Sequence, residues 1–274
     1  MPPDPGGTYD GRMQRSTLRV RVAEPLRFLL PVRHRHGDVR VPVDGVSTVR
    51  HLVESLGVPR TEIGEFLVNG RPVGPEARPG TDDVVDVRPV GRPQRIAEPR
   101  FVLDVHLGAL ARRMRLLGLD VAYRNDAEDA ELVAQAVAER RVVLTQDRGL
   151  LRRRALTAGA YVHGARADDQ LRDVLSRFDP PLTPWSRCPA CNGGVEPVAK
   201  QEVEHLLEPG TRRSYSTFAR CRTCGRVYWR GAHADRLEAV VAAATPGAGL
   251  TTSAPNGAAR DATACPHRPT GTAR

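Results

Sequence analysis

Lysine is nearly missing from this chain: Lys200 stands alone among 41 basic residues in 274, and the other 40 are arginines. Long apolar runs are missing too. Stretches such as Ala239–Ala244 fall far short of the roughly 18–20 residues that span a bilayer. Residues 1–20 carry Pro, Gly and Arg but no apolar signal core. Membrane and exported proteins are therefore not expected, and a cytoplasmic one is. Cysteine is absent from the first 187 residues, which excludes a disulfide framework there. Aromatics are thin at 4%, although 40% hydrophobic residues suffice for a packed core.

The length suggests two domains with room for a small third module. The net charge of +9 and the pI near 10.0 come almost wholly from Arg. Arg suits bidentate phosphate contacts and base stacking, which fits a nucleic-acid partner. A genome biased towards Arg codons would give the same excess. Four of the five cysteines form two pairs, Cys188/Cys191 and Cys221/Cys224, with 29 residues between the pairs. Such Cys-x-x-Cys knuckles read as a tetrahedral Zn²⁺ site, closed by four thiolates and hence structural. Asn192-Gly193-Gly194 and Gly225 supply the tight turns that wrap backbone around the metal. Cys265 lies in the tail and is incidental. His233 is a surface residue or a nucleic-acid contact.

Hydropathy divides the chain further. Residues 1–15 read as a disordered lead and 241–274 as a disordered tail. Over 16–90, Leu18, Val20 and Val22 alternate as a strand. Residues 27–30 end that strand region, Arg33–Gly37 is a hairpin tip, and Val39, Val41 and Val43 form the partner strand. A helix follows with Val49, Leu52, Val53 and Leu56 on one face. Phe66–Val68 runs into the Asn69-Gly70 turn, and Val84–Val87 is a last strand. This β-β-α-β-β order is a small β-grasp arrangement. Residues 91–100 are a Pro/Arg linker. Over 101–178 short apolar strands alternate with helices, including a basic one at 150–158, which predicts a parallel α/β sheet. Residues 179–240 carry the cysteine pairs.

Ligands of an open parallel sheet bind beyond the carboxyl ends of its strands. Asp104 and Asp147 each follow a strand there, and Asp129 caps the next helix near the same end; Asp126 is an alternative to it, and Asp168 or Asp169 would add a fourth acid. Clustered carboxylates hold Mg²⁺ or Mn²⁺ for phosphoryl displacement, although aspartate after a strand is also an ordinary cap. Residues 101–178 hold 13 Arg and 11 acids. Arg112, Arg113 and Arg115, and then Arg148 and Arg152–Arg154, flank the acids as a phosphate track would; solvated helix faces would look the same.

The segments Phe101–Asp120, Val142–Arg148, Arg187–Gly193 and Cys221–His233, in this order, resemble the Mut-seven-C RNase family, a PIN-like nuclease domain fused to a zinc ribbon. Residues 16–90 resemble the ubiquitin-like domain that precedes it in some members, and are similar to the sulfur carriers of cofactor synthesis. The resemblance implies a metal-dependent ribonuclease with Asp104, Asp129 and Asp147 as catalytic, Mg²⁺- or Mn²⁺-holding acids, and Asp168 as a weaker match. It further implies a phosphate contact from Arg148, which follows the Thr-x-Asp motif; the residues themselves add Arg112, Arg113, Arg152 and His233 as candidate RNA contacts and a structural Zn²⁺ on Cys188, Cys191, Cys221 and Cys224. The β-grasp segment runs on through Val90-Gly91-Arg92 and has no terminal Gly-Gly, so thiocarboxylate chemistry is not expected; it would position the enzyme or dock a protein partner. The competing readings are a non-catalytic RNA-binding protein and an adaptor.

Overall fold

The structure, a computed structural model, describes residues 16–229. The lead, the tail and His233 lie outside the described residues. Among the described residues no helix is long and apolar enough to cross a membrane.

The N-terminal module runs β1 (Thr17–Val22), two 3-10 turns (Glu24–Leu29 and Val32–His34), β2 (Val39–Pro42) and α1 (Val49–Ser55), then a turn at Arg60–Glu62, β3 (Ile63–Val68), β4 (Arg71–Val73) and β5 (Val84–Pro89). Its sheet has the order β2-β1-β5-β3-β4, with β1 and β5 parallel at its centre and the other pairs antiparallel. Every second residue of β1 is buried, and Leu18, Val20 and Val22 pack with Val49, Leu52 and Val53 of α1. Thr48 begins α1 by accepting the His51 amide at 3.2 Å. Asn69 and Gly70 both take positive φ, as a tight β3–β4 hairpin requires. Two expectations are corrected here. The chain leaves β1 at Val22 and forms 3-10 turns, without a hairpin tip at Arg33–Gly37, because Leu26, Leu29 and Leu30 turn into the core and Pro25 cannot donate to a ladder. The short strand β4 is also added to the β-β-α-β-β order.

The second domain runs β6 (Arg100–Leu103), α2 (Gly108–Leu116), β7 (Asp120–Tyr123), α3 (Asp129–Glu139), β8 (Val142–Thr145), α4 (Arg148–Leu151), β9 (Gly159–Tyr161) and α5 (Ala167–Phe178). All strand pairs are parallel, in the order β7-β6-β8-β9. Phe101, Leu103 and Leu144 face the core under α2 and α5, while Val102 and Val143 face the one under α3 and α4. Burial on both faces is why these strands read as continuous apolar runs. The basic helix expected over 150–158 is only α4, ending at Leu151, after which Leu156 is drawn into the core. Between β6 and β8 the direction of winding reverses, so a crevice opens at their carboxyl ends.

The two domains meet over a polar seam. Glu62 and Arg177 are buried there and paired at 2.7 and 3.0 Å. Arg177 also donates to Thr61 O, and Glu62 accepts the Tyr161 amide. Arg60 donates to the carbonyls of Arg154 and Leu156. The 91–100 segment is strapped down as well, with Arg92 on Asp173 and the Gln94 amide on Arg177 O.

The third unit runs β10 (Val195–Val198), α6 (Lys200–Val203), a 3-10 turn, α7 (Pro209–Ser214), β11 (Phe218–Cys221) and β12 (Val227–Trp229), with an antiparallel sheet in the order β10-β11-β12. Its lead-in is bound to the end of α2: the Thr183 amide donates to Leu117 O and the Trp185 amide to Leu116 O. Gly118 lies beneath this strap with φ +84°, and a Cβ there would sit 2.0 Å from Thr183 O. Gly118→Ala is therefore expected to cost about 3 kcal/mol or more, from left-handed strain plus overlap with backbone, measured as a lower urea midpoint.

Candidate functional site

Asp104 follows β6, and its amide donates to Leu144 O of β8. Asp104 as a whole is only 6% exposed, and its Oδ2 accepts the Thr145 hydroxyl at 2.6 Å. The same Thr145 Oγ1 accepts the Asp147 amide at 2.8 Å. One hydroxyl at the end of β8 thus joins both aspartates at the winding reversal. Asp147 caps α4, its Oδ1 taking the Gly149 amide at 2.6 Å. Asp104 Oδ1 and Asp147 Oδ2 receive no hydrogen bond among the described residues.

The other acids are placed differently. Glu128, not Asp129, is the cap residue of α3, where it and Glu131 form a capping box; Asp129 is the first helical residue and lies 3.2 Å from Arg153. Asp126 lies 3.3 Å from Arg124, Asp168 pairs with Arg113 at 2.6 Å, and Asp169 pairs with Arg166 and Arg172. Among the described residues no three carboxylates converge as ligands. Arg112 and Arg152 are exposed, while Arg148 donates to Phe28 O of the β-grasp module at 2.9 Å.

The cysteines do converge: all four Sγ atoms lie within 4.8 Å of one another. Cys188 and Cys224 are 3.6 Å apart, and Cys191 and Cys221 3.5 Å. A tetrahedral ion with metal–sulfur bonds of about 2.3 Å requires sulfur spacings near 3.8 Å, so the donor set fits Zn²⁺. Amides of Thr223 and Cys224 point at Cys221 Sγ. Burial works against the Cys188 thiolate, but hydrogen bonds from the Tyr228 hydroxyl and nearby amides outweigh it and lower its pKa to about 6. Gly193 is required here, because a Cβ would fall 2.4 Å from Thr223 Oγ1.

Sequence reasoning missed what holds this knuckle to the sheet. Arg115, grouped in the sequence with Arg112 and Arg113 as a phosphate track, is instead buried on α2 and donates to the carbonyls of Val121, Pro189 and Ala190. Burial pulls its pKa below the usual arginine value, opposed by the charges of Cys191 and Cys188. Asn192, at φ +68°, accepts the Val121 amide of edge strand β7 and donates to Asp120. Burial pushes the Asp120 carboxyl up, yet Arg141 and Asn192 hold it below its ordinary value. The available signal was an arginine at position i+4 from Ala111 within an apolar helical stripe. Thr145, two residues before Asp147, was the other residue missed.

Against known proteins, the model of the Mut7-C RNAse domain family matches residues 99–241, more than half of the chain, and that of the Mut7-C ubiquitin family matches residues 15–95. No curated protein and no solved structure matches.

Proposed function

The chain belongs to the Mut7-C RNAse domain family, and on that premise we propose that it is a metal-dependent ribonuclease acting through Asp104, Asp129 and Asp147. The observation that carries this reading is the single threonine hydroxyl at the carboxyl ends of β6 and β8 that donates to the Asp104 carboxylate and accepts the Asp147 backbone amide, setting both aspartates at one end of the sheet. Asp104 and Asp147 would hold Mg²⁺ or Mn²⁺ through their unpartnered oxygens, and Asp129 would join them by leaving Arg153. Such an ion supplies Lewis acidity towards water and the phosphodiester. Thr145 fixes the rotamer of Asp104 and the backbone of Asp147. Arg112, Arg113, Arg148 and Arg152 would bind phosphates, with Arg113 exchanging Asp168 for one. Zn²⁺ on Cys188, Cys191, Cys221 and Cys224 would be structural, since four protein ligands leave no open position.

With Mn²⁺ and a single-stranded RNA, wild type is expected to cleave, and Asp104→Asn and Asp147→Asn to be slower by about a hundredfold or more, since even supporting residues around a metal are worth up to that. Equal rates in all three proteins remove the reading. The ion pair of Asp129 with Arg153 favours a second reading, an RNA-binding protein that does not cut. That reading expects salt-sensitive RNA binding, unaltered in Asp147→Asn, and no cleavage with any divalent ion.

A further inference from the structure

We propose that the seam between the β-grasp module and the parallel-sheet domain is a track for single-stranded RNA, with His163 as its stacking ring and Arg152 as a phosphate contact. This rests on the ribonuclease reading and adds the β-grasp module to the substrate site. Gln146, between Thr145 and Asp147, donates its side-chain amide to Val162 O at 3.0 Å and Gly164 O at 2.9 Å. It therefore brackets His163 and sets it at the same end of the sheet as Asp147. His163 is exposed, and its ring lies 5.0 Å from those of Tyr161 and Phe28, which are 4.7 Å from each other. Phe28 comes from the β-grasp module, and its carbonyl holds Arg148, the residue after Asp147. Pro31 Cδ and Arg152 Nη1 both lie within 4 Å of the point where a Cβ on Gly57 would be. The segment 28–31 therefore runs beside α4, and Arg33 and Arg35 follow it two and four residues on in the chain.

Arg33, Arg35, Arg148 and Arg152 make no ion pair among the described residues; of the nearby acids, Glu62, Asp173 and Asp129 are taken by Arg177, Arg92 and Arg153, and Asp104 and Asp147 are the acids of the proposed metal site. Guanidinium groups beside an aromatic cluster match a single strand, whose bases offer free faces and whose phosphates follow at regular spacing. A duplex hides those faces, and an acidic peptide gains nothing from the rings.

The test is fluorescence anisotropy of a labelled 12-nucleotide RNA with the full chain and no added divalent ion. His163→Ala is expected to weaken binding roughly tenfold, the size of one lost base–aromatic stack, and His163→Phe to restore it. Arg152→Ala is expected to weaken binding and lower the salt slope by about one. Arg71→Ala, at the turn end of the β3–β4 hairpin, is expected to have no effect. Unaltered affinity in His163→Ala and Arg152→Ala overturns the proposal, as does an equal loss in Arg71→Ala, or equal binding of a duplex or a polyglutamate peptide. Cleavage assays of the same proteins separate the two ideas. Cutting without these binding losses sinks the track alone, whereas binding losses without cutting sink hydrolysis alone.

Discussion

A Glu62→Ala variant will lose about 3–5 kcal/mol of stability, the penalty for leaving one partner of a buried ion pair behind. The side chains of Glu62 and Arg177 are 8% and 4% exposed, so water cannot replace the missing carboxylate. Three hydrogen bonds go with the carboxylate: the two from Arg177 Nη1 that make up the pair, and the one from the Tyr161 amide. The loss falls on the seam rather than on either core. Equilibrium unfolding should therefore split into two transitions, with the β-grasp module separating from residues 100–229, and protease should cut within 91–99. Arg88→Ala removes an exposed pair with Glu65 and should shift stability by no more than about 1 kcal/mol. A single unshifted transition in Glu62→Ala would mean that the two domains are held by something other than this pair.

The same residues show where sequence reading stops. Strand alternation exposed β1 and β2, and apolar stripes exposed α1, α2, α3 and α5, because each pattern is set by neighbours within one element. Residues 27–30 were read as the end of the first strand region, since a short apolar run does not distinguish a strand from a 3-10 turn. Glu62 and Arg177 look like surface charges in any local window, and only the docking of two domains buries them. Arg115 escaped for the same reason, being buried by a knuckle that lies more than seventy residues away. The placement of Asp104 and Asp147 at neighbouring strand ends was legible, because parallel topology puts those ends together. The partner of Asp129 was not, because whether a carboxylate meets Arg153 or another carboxylate depends on side-chain packing that no spacing encodes.

On the proposal that Zn²⁺ fills the cysteine cluster, treating the protein with a chelator, or replacing Cys221 with serine, is expected to unfold the third unit while leaving the other two domains intact. Its apolar burial is too small to stand alone: between residues 187 and 229 only Cys188, Val203, Phe218 and Cys221 are buried among the hydrophobic side chains, and two of these four are ligands. Binding to structural zinc sites is worth about 10–16 kcal/mol in small peptides, so the ion supplies most of what holds such a fold. Hydrogen exchange should show protection vanishing over β10, β11 and β12. It should also vanish at one amide outside that unit, Val121, whose acceptor is Asn192 Oδ1 in the knuckle. Amides of β6 and β8, paired within the parallel sheet, should keep their protection. Metal analysis of the native protein should give one zinc per chain, lost in Cys221→Ser. Retained protection across β11 in a zinc-free protein would mean that the sheet and the Arg115 clasp carry the unit unaided, and the four sulfurs would then need another explanation.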